Sequence, residues 1–349
     1  MDFTLSEEQV ELAGLARKIL AERDAPWGDL AAAGVLAAGL PADVGGAGLG
    51  LLEQCSVLVE IGRSASDVPY LSSIVVGAGA LACFGTASQQ ARWARPAGRG
   101  SAVLTAALEE DVAGGPSCTA VRSGSGSWVV SGVKTAVPQA PQADLFLVPC
   151  ASAEGVLVFL VTPSDAGVRV EPQELTSFAP AGRVVLSDVV VDDSRVLGSP
   201  GREVVDWLVA RATVGLCAMQ AGVLERALEL TAEHARSRVQ FGRPIGAFQA
   251  VAQRLADAYI DVAAVRLTMW QAAWLLASGL PADTEVATAK FWAADAGHRV
   301  AHTAVHVHGG LGIDVSYPVH RYFVAAKGNE FALGGATAQL RRIGAALGG

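Results

Sequence analysis

Residues 235–255 read ARSRVQFGRPIGAFQAVAQRL and constrain the fold most, because they place turn residues between two long helical patterns. Apolar residues recur at helical spacing on both sides of this stretch, at Val204, Val205, Leu208, Val209 and Ala212 before it and at Leu255, Ala258, Tyr259 and Val262 after it. Gly242 allows the chain to reverse, and Pro244 suits the opening of a helix. The stretch is therefore predicted to be the turn of a helical hairpin, with Pro244 at the start of the second helix.

Three polar or aromatic side chains of this turn could bind a ligand. The guanidinium fork of Arg238, the amide of Gln240 and the ring of Phe241 suit a flat, anionic molecule. A plain helical hairpin with a polar cap is the simpler interpretation, and the spacing alone favours it.

The rest of the chain changes character twice. Helical patterns run from Leu5 to about residue 95, and Ser6 with Gln9 forms a capping box at the start of the first helix. From about residue 101 to 197, short β-branched runs alternate with Gly, Ser, Pro and Asp, which is typical of strands. Long helical patterns return from about Gly201 to the end.

Composition excludes several classes of protein. With 51% hydrophobic residues in 349, the chain can bury a large core, and no uninterrupted apolar run reaches the roughly 20 residues of a membrane span. We expect the excess apolar surface to lie at subunit interfaces. A net charge of −8 without a basic stripe argues against nucleic acid. Five scattered cysteines and no cationic leader predict a cytoplasmic protein with reduced thiols.

Two motifs resemble those of the acyl-CoA dehydrogenases, flavoproteins that desaturate acyl-CoA thioesters. The first is R-x-x-F-G-x-x-I-x-x-F-Q at residues 238–249, and the second is HVHGGLGIDVSYPVHRY at residues 306–322. The resemblance implies an α+β fold of three domains. These are an N-terminal helical domain at residues 1–100, a middle β-barrel or β-sandwich domain at 101–200, and a C-terminal four-helix bundle at 201–349.

The reaction of that family needs a carboxylate base to remove the α-proton while a hydride leaves to the flavin. Family members carry this Glu in one of two places, and here the corresponding positions fall on Ala212 and Gly334. Neither residue can accept a proton. Glu330 lies four residues before Gly334 and is the fallback candidate, since four residues are about one helical turn.

The middle segment also departs from the family pattern for binding the flavin ring. In the G-x-K-x-W-I-T/S strand, the Trp position is Ala136 and the hydroxyl position is Pro138, and Glu109 stands where a Thr is usual. The G-S-D turn is replaced by GGPS at residues 114–117. The resemblance implies that a flavin ring would lose several contacts on this domain.

The family's other half-site is retained. In these enzymes the Phe-Gly turn and a Q-x-x-G-G loop contact the adenosine and pyrophosphate of a neighbouring subunit's FAD. The matching residues here are Arg238, Gln240, Phe241, Gly309 and Gly310, with His306 in the Gln position. The resemblance thus implies that this chain shares FAD across an interface with a partner.

This combination is similar to one subgroup, the shorter, base-lacking subunits of actinobacterial α2β2 acyl-CoA dehydrogenases of steroid (cholesterol) side-chain degradation. It implies a base-containing partner that holds most of an acyl-CoA substrate, a steroid side-chain CoA thioester. Two alternatives are a self-sufficient homo-oligomeric enzyme with Glu330 as relocated base, and a flavin-free structural or binding protein. We favour the non-catalytic subunit.

His298, His302 and His306 recur every four residues and could suggest a metal site. Only Asp295 lies nearby as a further ligand and no cysteine joins them, so histidines of a core or interface are the better interpretation. No metal is predicted.

Overall fold

A computed structural model describes residues 3–22, 26–111, 117–124 and 126–348 of the chain. Helices form both ends and a β-sheet forms the middle, which confirms the predicted α+β architecture. The N-terminal helices are α1 Glu7–Glu22, α2 Pro26–Ala32, α3 Val35–Ala38, α4 Leu51–Ser64, α5 Gly79–Phe84, α6 Ala87–Gln89 and α7 Arg95–Gly98. A π-helical segment, Tyr70–Ala78, leads directly into α5.

The predicted capping box begins α1. The amide of Gln9 donates to Ser6 Oγ at 3.2 Å, and the amide of Ser6 donates to Gln9 Oε1 at 2.8 Å. Two amides that lack partners inside the helix are thereby satisfied.

The β-branched runs form the middle sheet. Its strands are β1 Leu104–Ala106, β2 Thr119–Arg122, β3 Ser127–Pro138, β4 Leu145–Ser152, β5 Gly155–Val161, β6 Val168–Gln173, β7 Ala181–Asp192 and β8 Val196–Leu197. Their order is β6-β7-β3-β2-β4-β5-β8, and β1 pairs in parallel with β4. A separate core lies under the sheet, where Trp128 meets Phe159 edge-to-face with ring centroids 5.6 Å apart.

The C-terminal region is a helical bundle. It consists of α8 Glu203–Ser237, a hairpin of β9 Val239–Gln240 and β10 Arg243–Pro244, α9 Gln249–Ala277, α10 Asp283–His308, α11 Val319–Phe331 and α12 Ala336–Gly348. The predicted helical hairpin is present, but the placement of Pro244 at the start of the second helix was wrong. Pro244 pairs with Val239, and the amide of Ile245 donates to Arg238 O at 2.8 Å, so the hairpin closes before α9 begins at Gln249.

Helix α8 is the central element of the core. Its residues 212–218 are all buried, and it packs against α4, where an added Cβ on Gly62 or Gly222 would collide with the other helix's backbone. The helix is long and apolar enough to span a membrane by length and composition, but 72% of its most apolar window is buried inside the protein. Burial between α4 and the bundle helices accounts for this hydropathy.

Candidate functional site

The two positions where a catalytic carboxylate is expected lie in different surroundings. Ala212 is 7% exposed on α8, inside the main apolar core. Gly334 lies in the turn between α11 and α12, with φ of 90°, next to Leu333 with φ of 58°. A side chain at Gly334 would be strained in this left-handed conformation, and its Cβ would lie 3.1 Å from Gln339 Nε2. The backbone therefore favours glycine at the position where the family resemblance places the base.

The polar backbone groups of this turn are bonded to other parts of the chain. The amide of Leu333 donates to Glu109 Oε1 at 2.9 Å, although Glu109 belongs to the middle domain. The amide of the fully buried Gln339 donates to the carbonyls of Leu333 and Gly334 at 3.0 and 2.9 Å. Two segments of the chain, one carrying Glu109 and one carrying Gln339, thus hold the turn in place.

A buried lysine of α10 contacts the end of α11, just before this turn. Lys290 is 0% exposed, and its Nζ donates to the carbonyls of Asn329 and Glu330, each at 3.0 Å. Burial lowers the pKa of Lys290. The ammonium satisfies carbonyls that have no partner within the helix, as cations near a helix C-terminus commonly do.

The fallback base, Glu330, is bonded to neighbouring side chains. Its carboxylate, 13% exposed, pairs with Lys327 of the same helix and with His298 Nδ1 of α10 at 3.2 Å. Both oxygens therefore have cationic or hydrogen-bonding partners within the bundle.

The positions expected to face a flavin ring are bonded to neighbouring groups. The amide of Ala136 donates to Gln173 Oε1 at 2.7 Å, at a shift of register between β3 and β7. Ala136 has φ of 48°, and Pro138 pairs with Ala181. The GGPS turn at residues 114–117 lies outside the described residues except for Ser117.

A buried ion pair underlies this part of the sheet. Lys134 and Glu110 are 1% and 5% exposed and are in direct contact. Burial alone would raise the pKa of Glu110, but hydrogen bonds from Lys134 and Ser117 outweigh it and lower the pKa. Sequence reasoning missed this pair, as well as the roles of Gln339 and Lys290. Their position as polar residues within apolar segments is the sequence signal that could have indicated buried, bonded side chains.

The residues predicted to contact a neighbour's FAD are exposed, unlike the buried groups around Gly334. Arg238, Gln240 and Phe241 are exposed on the β9–β10 hairpin, and the Phe241 ring is 92% exposed with φ of 50°. Phe241 meets Phe248 edge-to-face at 6.2 Å. Within the described chain, Arg238 has no ion pair, so its guanidinium fork is available to an anion.

The second loop lies at the same end of the bundle. Gly309 and Gly310 follow α10, both exposed, and no atom lies within 4 Å of a Cβ built on either. His306 is exposed one turn earlier. His234, near the end of α8, stacks on His308 with ring centroids 4.4 Å apart, which brings the loop beside the Arg238 turn. The structure therefore brings the six predicted cofactor residues to one end of the bundle.

The three regularly spaced histidines, His298, His302 and His306, do not share one set of contacts. His298 and His302 lie 4.3 Å apart by ring centroids, and His302 packs edge-to-face on Phe323 at 5.4 Å. No group of three or more His, Cys, Asp or Glu residues that could hold a metal occurs in the part of the chain that the structure describes.

Comparison with protein families identifies the fold. The N-terminal, middle and C-terminal domains of acyl-CoA dehydrogenase match residues 6–101, 109–189 and 200–348. The chain belongs to the acyl-CoA dehydrogenase family. This confirms the predicted resemblance and makes the chain a member of a family of oxidoreductases.

Similar proteins narrow the position within the family. Acyl-CoA dehydrogenase FadE27 of Mycobacterium tuberculosis is 47% identical over 99% of both chains. A chain in the crystal structure of the ChsE4-ChsE5 complex from the same organism is 48% identical, with a TM-score of 0.95 over 100% of this chain and 99% of that one. A variant of the Tcur3481-Tcur3483 steroid ACAD gives 40% identity and a TM-score of 0.92 over 99% of both chains. Two structures of PigA with FAD share the fold, at 24% and 23% identity and TM-scores of 0.92 and 0.90.

Proposed function

We propose that this chain is the non-catalytic subunit of a heteromeric FAD-dependent acyl-CoA dehydrogenase, and that it completes the FAD site of a base-containing partner in an α2β2 assembly. The observation that carries the proposal is the turn at Gly334. At this position, where the resemblance places the base, the backbone has a φ of 90°, and the Leu333 amide and the carbonyls of Leu333 and Gly334 are bonded within the chain.

The other candidate bases support this assignment. Ala212 is buried and cannot accept a proton. Glu330 is paired with Lys327 and His298, so its carboxylate is not free to approach a substrate. A general base must reach the proton that it removes. These contacts count against a self-sufficient enzyme with Glu330 as relocated base.

The contacts of Glu109 support the loss of a separate flavin-ring site. Its carboxylate accepts the Leu333 amide and so bridges the middle domain and the turn before α12. The Ala136 amide is likewise bonded to Gln173. The Glu109 carboxylate and the Ala136 amide, which could otherwise hydrogen-bond to a ring, thus have partners within the chain.

The exposed end of the bundle fits part of FAD. Its pyrophosphate is anionic and suits the Arg238 fork, while Gly309 and Gly310 allow backbone amides to approach a phosphate closely. The Phe241 ring offers an apolar face to a flat group, with Gln240 and His306 as hydrogen-bonding neighbours. When bound, FAD supplies the acceptor for the hydride of the reaction.

The substrate and partner are proposed from the relatives. The name of the ChsE4-ChsE5 complex gives two different components, and the Tcur3481-Tcur3483 protein is named a steroid ACAD. We propose α,β-desaturation of a steroid side-chain CoA thioester in the cytoplasm, with the acyl-CoA held mainly by the partner. We also propose domain limits at residues 1–100, 101–200 and 201–349.

Arg238→Ala tests the cross-subunit role. In the complex co-expressed with a base-containing partner, we expect FAD retention to fall, because a charge-assisted hydrogen bond contributes about 1.5–3 kcal/mol. That corresponds to roughly ten- to a hundredfold weaker binding, read from the flavin-to-protein ratio after dilution.

Arg169→Ala is the matched control, since Arg169 is 68% exposed on β6 and pairs only with Glu171 among the described residues. It should retain flavin like the wild type. Equal flavin content in Arg238→Ala, wild type and control would contradict the proposed role of Arg238.

A further inference from the structure

His308 is a buried residue at the end of α10 with one nitrogen bonded and the other unpaired. It is 5% exposed, and its Nδ1 lies 2.8 Å from Ala304 O. Because a carbonyl only accepts, Nδ1 carries the proton in the neutral ring, and Nε2 keeps its lone pair. Nε2 has no hydrogen-bond partner in the described chain. The side chain is therefore fixed by one bond and by its ring contacts.

The main ring contact of His308 is with His234 of α8. The rings are stacked with centroids 4.4 Å apart and an interplanar angle of 25°, and Tyr317 adds a second ring at 5.4 Å from His308. His234 O accepts the amide of Arg238 at 2.8 Å, while His308 immediately precedes Gly309. The stack therefore links the two segments that carry the cofactor-facing residues.

We propose that the His234–His308 stack is a positioning element that holds the Arg238 turn and the Gly309–Gly310 loop in one arrangement, so that both contact the same FAD molecule. The inference rests on the proposed function, in which these segments complete a partner's FAD site. His308 acts through the loop that follows it and is a positioning residue. The stack serves this purpose when both rings are neutral.

The charges around the pair favour that neutral state. Burial lowers the pKa of His308, against the bond to Ala304, and burial, His308 and Arg238 together lower the pKa of His234. Among the described residues, Arg238 from the α8 side and Tyr317 from the loop before α11 are the titratable or charged groups that face the two stacked rings. A proton on either imidazole would place a cation in an apolar stack beside Arg238.

The pH dependence follows from these lowered values. The unfolded chain takes up the protons around the ordinary pKa of 6.5, whereas the folded pair resists protonation until the pH is lower. The stabilising effect is therefore complete above pH 6.5 and is lost as the pH falls through the folded-state pKa values. Flavin retention should decline over the same range.

Two substitutions of His308, made in the co-expressed complex, separate stacking from titration. His308→Ala removes the ring and should weaken FAD retention about tenfold at pH 7.5. His308→Phe keeps a ring against His234 but removes the titrating group at position 308. It should retain FAD like the wild type at pH 7.5 and lose less of it than the wild type at pH 5.5. His298→Ala, on the same helix and 50% exposed, is the control that should match the wild type.

The readouts are the flavin-to-protein ratio after gel filtration at each pH and the native mass of the complex. Wild-type retention in His308→Ala, or an acid loss in His308→Phe equal to that of the wild type, would overturn the proposal. If His308→Ala does not assemble, the comparison of His308→Phe with the wild type decides. A wild-type complex without flavin would instead contradict the proposed function, and the two failures are thus distinguishable.

Discussion

The polar groups of the turn around Gly334 are bonded within the chain, whereas the side chains of the hairpin around Arg238 are exposed. At the turn, Glu109, Gln339 and Lys290 bond the backbone groups of residues 329–334 from within the chain. At the hairpin, Arg238 has no ion pair with a described residue, and Phe241 is 92% exposed.

This difference separates two roles that a self-sufficient member of the family combines. Buried polar groups that are fully bonded stabilise a fold but cannot serve a substrate. Exposed aromatic and cationic groups cost little in isolation and become useful when a partner covers them. The first region thus serves the stability of this chain, and we propose that the second binds a neighbour's cofactor.

The largest effect should come from the buried Lys134–Glu110 ion pair of the middle sheet. Lys134→Met leaves the Glu110 carboxylate buried without its cation, and we expect a loss of about 3–5 kcal/mol of stability. Urea unfolding of the complex followed by circular dichroism measures it. Lys18→Met, at an exposed position of α1, should change stability by less than about 0.5 kcal/mol. Similar midpoints for the two variants would show that the pair contributes little.

Gly334→Glu restores the family's carboxylate in sequence but not in geometry. The left-handed conformation should cost about 1–2 kcal/mol, and the complex should melt at a lower temperature. The variant chain alone should give no acyl-CoA-dependent dye reduction. Gly344→Ala on α12, with no atom within 4 Å of the new Cβ, should be neutral or slightly stabilising. Dye reduction by the Glu variant alone would show that only the base was missing.

Glu109→Ala probes the link between the middle domain and the turn. Loss of the acceptor leaves the Leu333 amide unpaired, and we expect about 1 kcal/mol of destabilisation. Glu109→Gln keeps an acceptor oxygen and should remain close to the wild type. Thermal melting of the complex compares the two variants. Equal melting temperatures for Glu109→Ala and Glu109→Gln would show that the bond from the Leu333 amide to Glu109 does not stabilise the complex.

Lowering the pH should have the smallest effect on stability. Burial raises the pKa of Glu110, but hydrogen bonds from Lys134 and Ser117 lower it overall. The ionised carboxylate therefore contributes stability at pH values above its ordinary pKa of 4.5. That contribution is lost as the pH falls through the lower folded-state pKa. Between pH 6 and 3 the wild type should therefore lose more stability than Glu110→Gln. Parallel stability curves would assign acid sensitivity to other groups.

Local sequence signals predicted the parts of the fold that depend on near neighbours. The capping box of Ser6 and Gln9, the strand runs and the helical hairpin all follow from residues within a few positions. The start of α9 was misplaced because Pro244 fits a helix opening and a hairpin strand equally well.

The contacts that hold the turn around Gly334 could not be predicted from local sequence. Glu109 and Leu333 are 224 positions apart, and no local pattern indicates that their atoms meet. The sequence did indicate that Glu109 was out of place beside a flavin ring. Its actual partner depends on how the sheet docks on the bundle.

The most direct test compares the chain purified alone with the chain co-expressed beside a base-containing acyl-CoA dehydrogenase encoded near it. The flavin-to-protein ratio, the native mass and acyl-CoA-dependent dye reduction are recorded for both. We predict a colourless, inactive chain alone and a yellow, active complex with one FAD per pair of subunits. A yellow, active homo-oligomer of this chain alone would contradict the account.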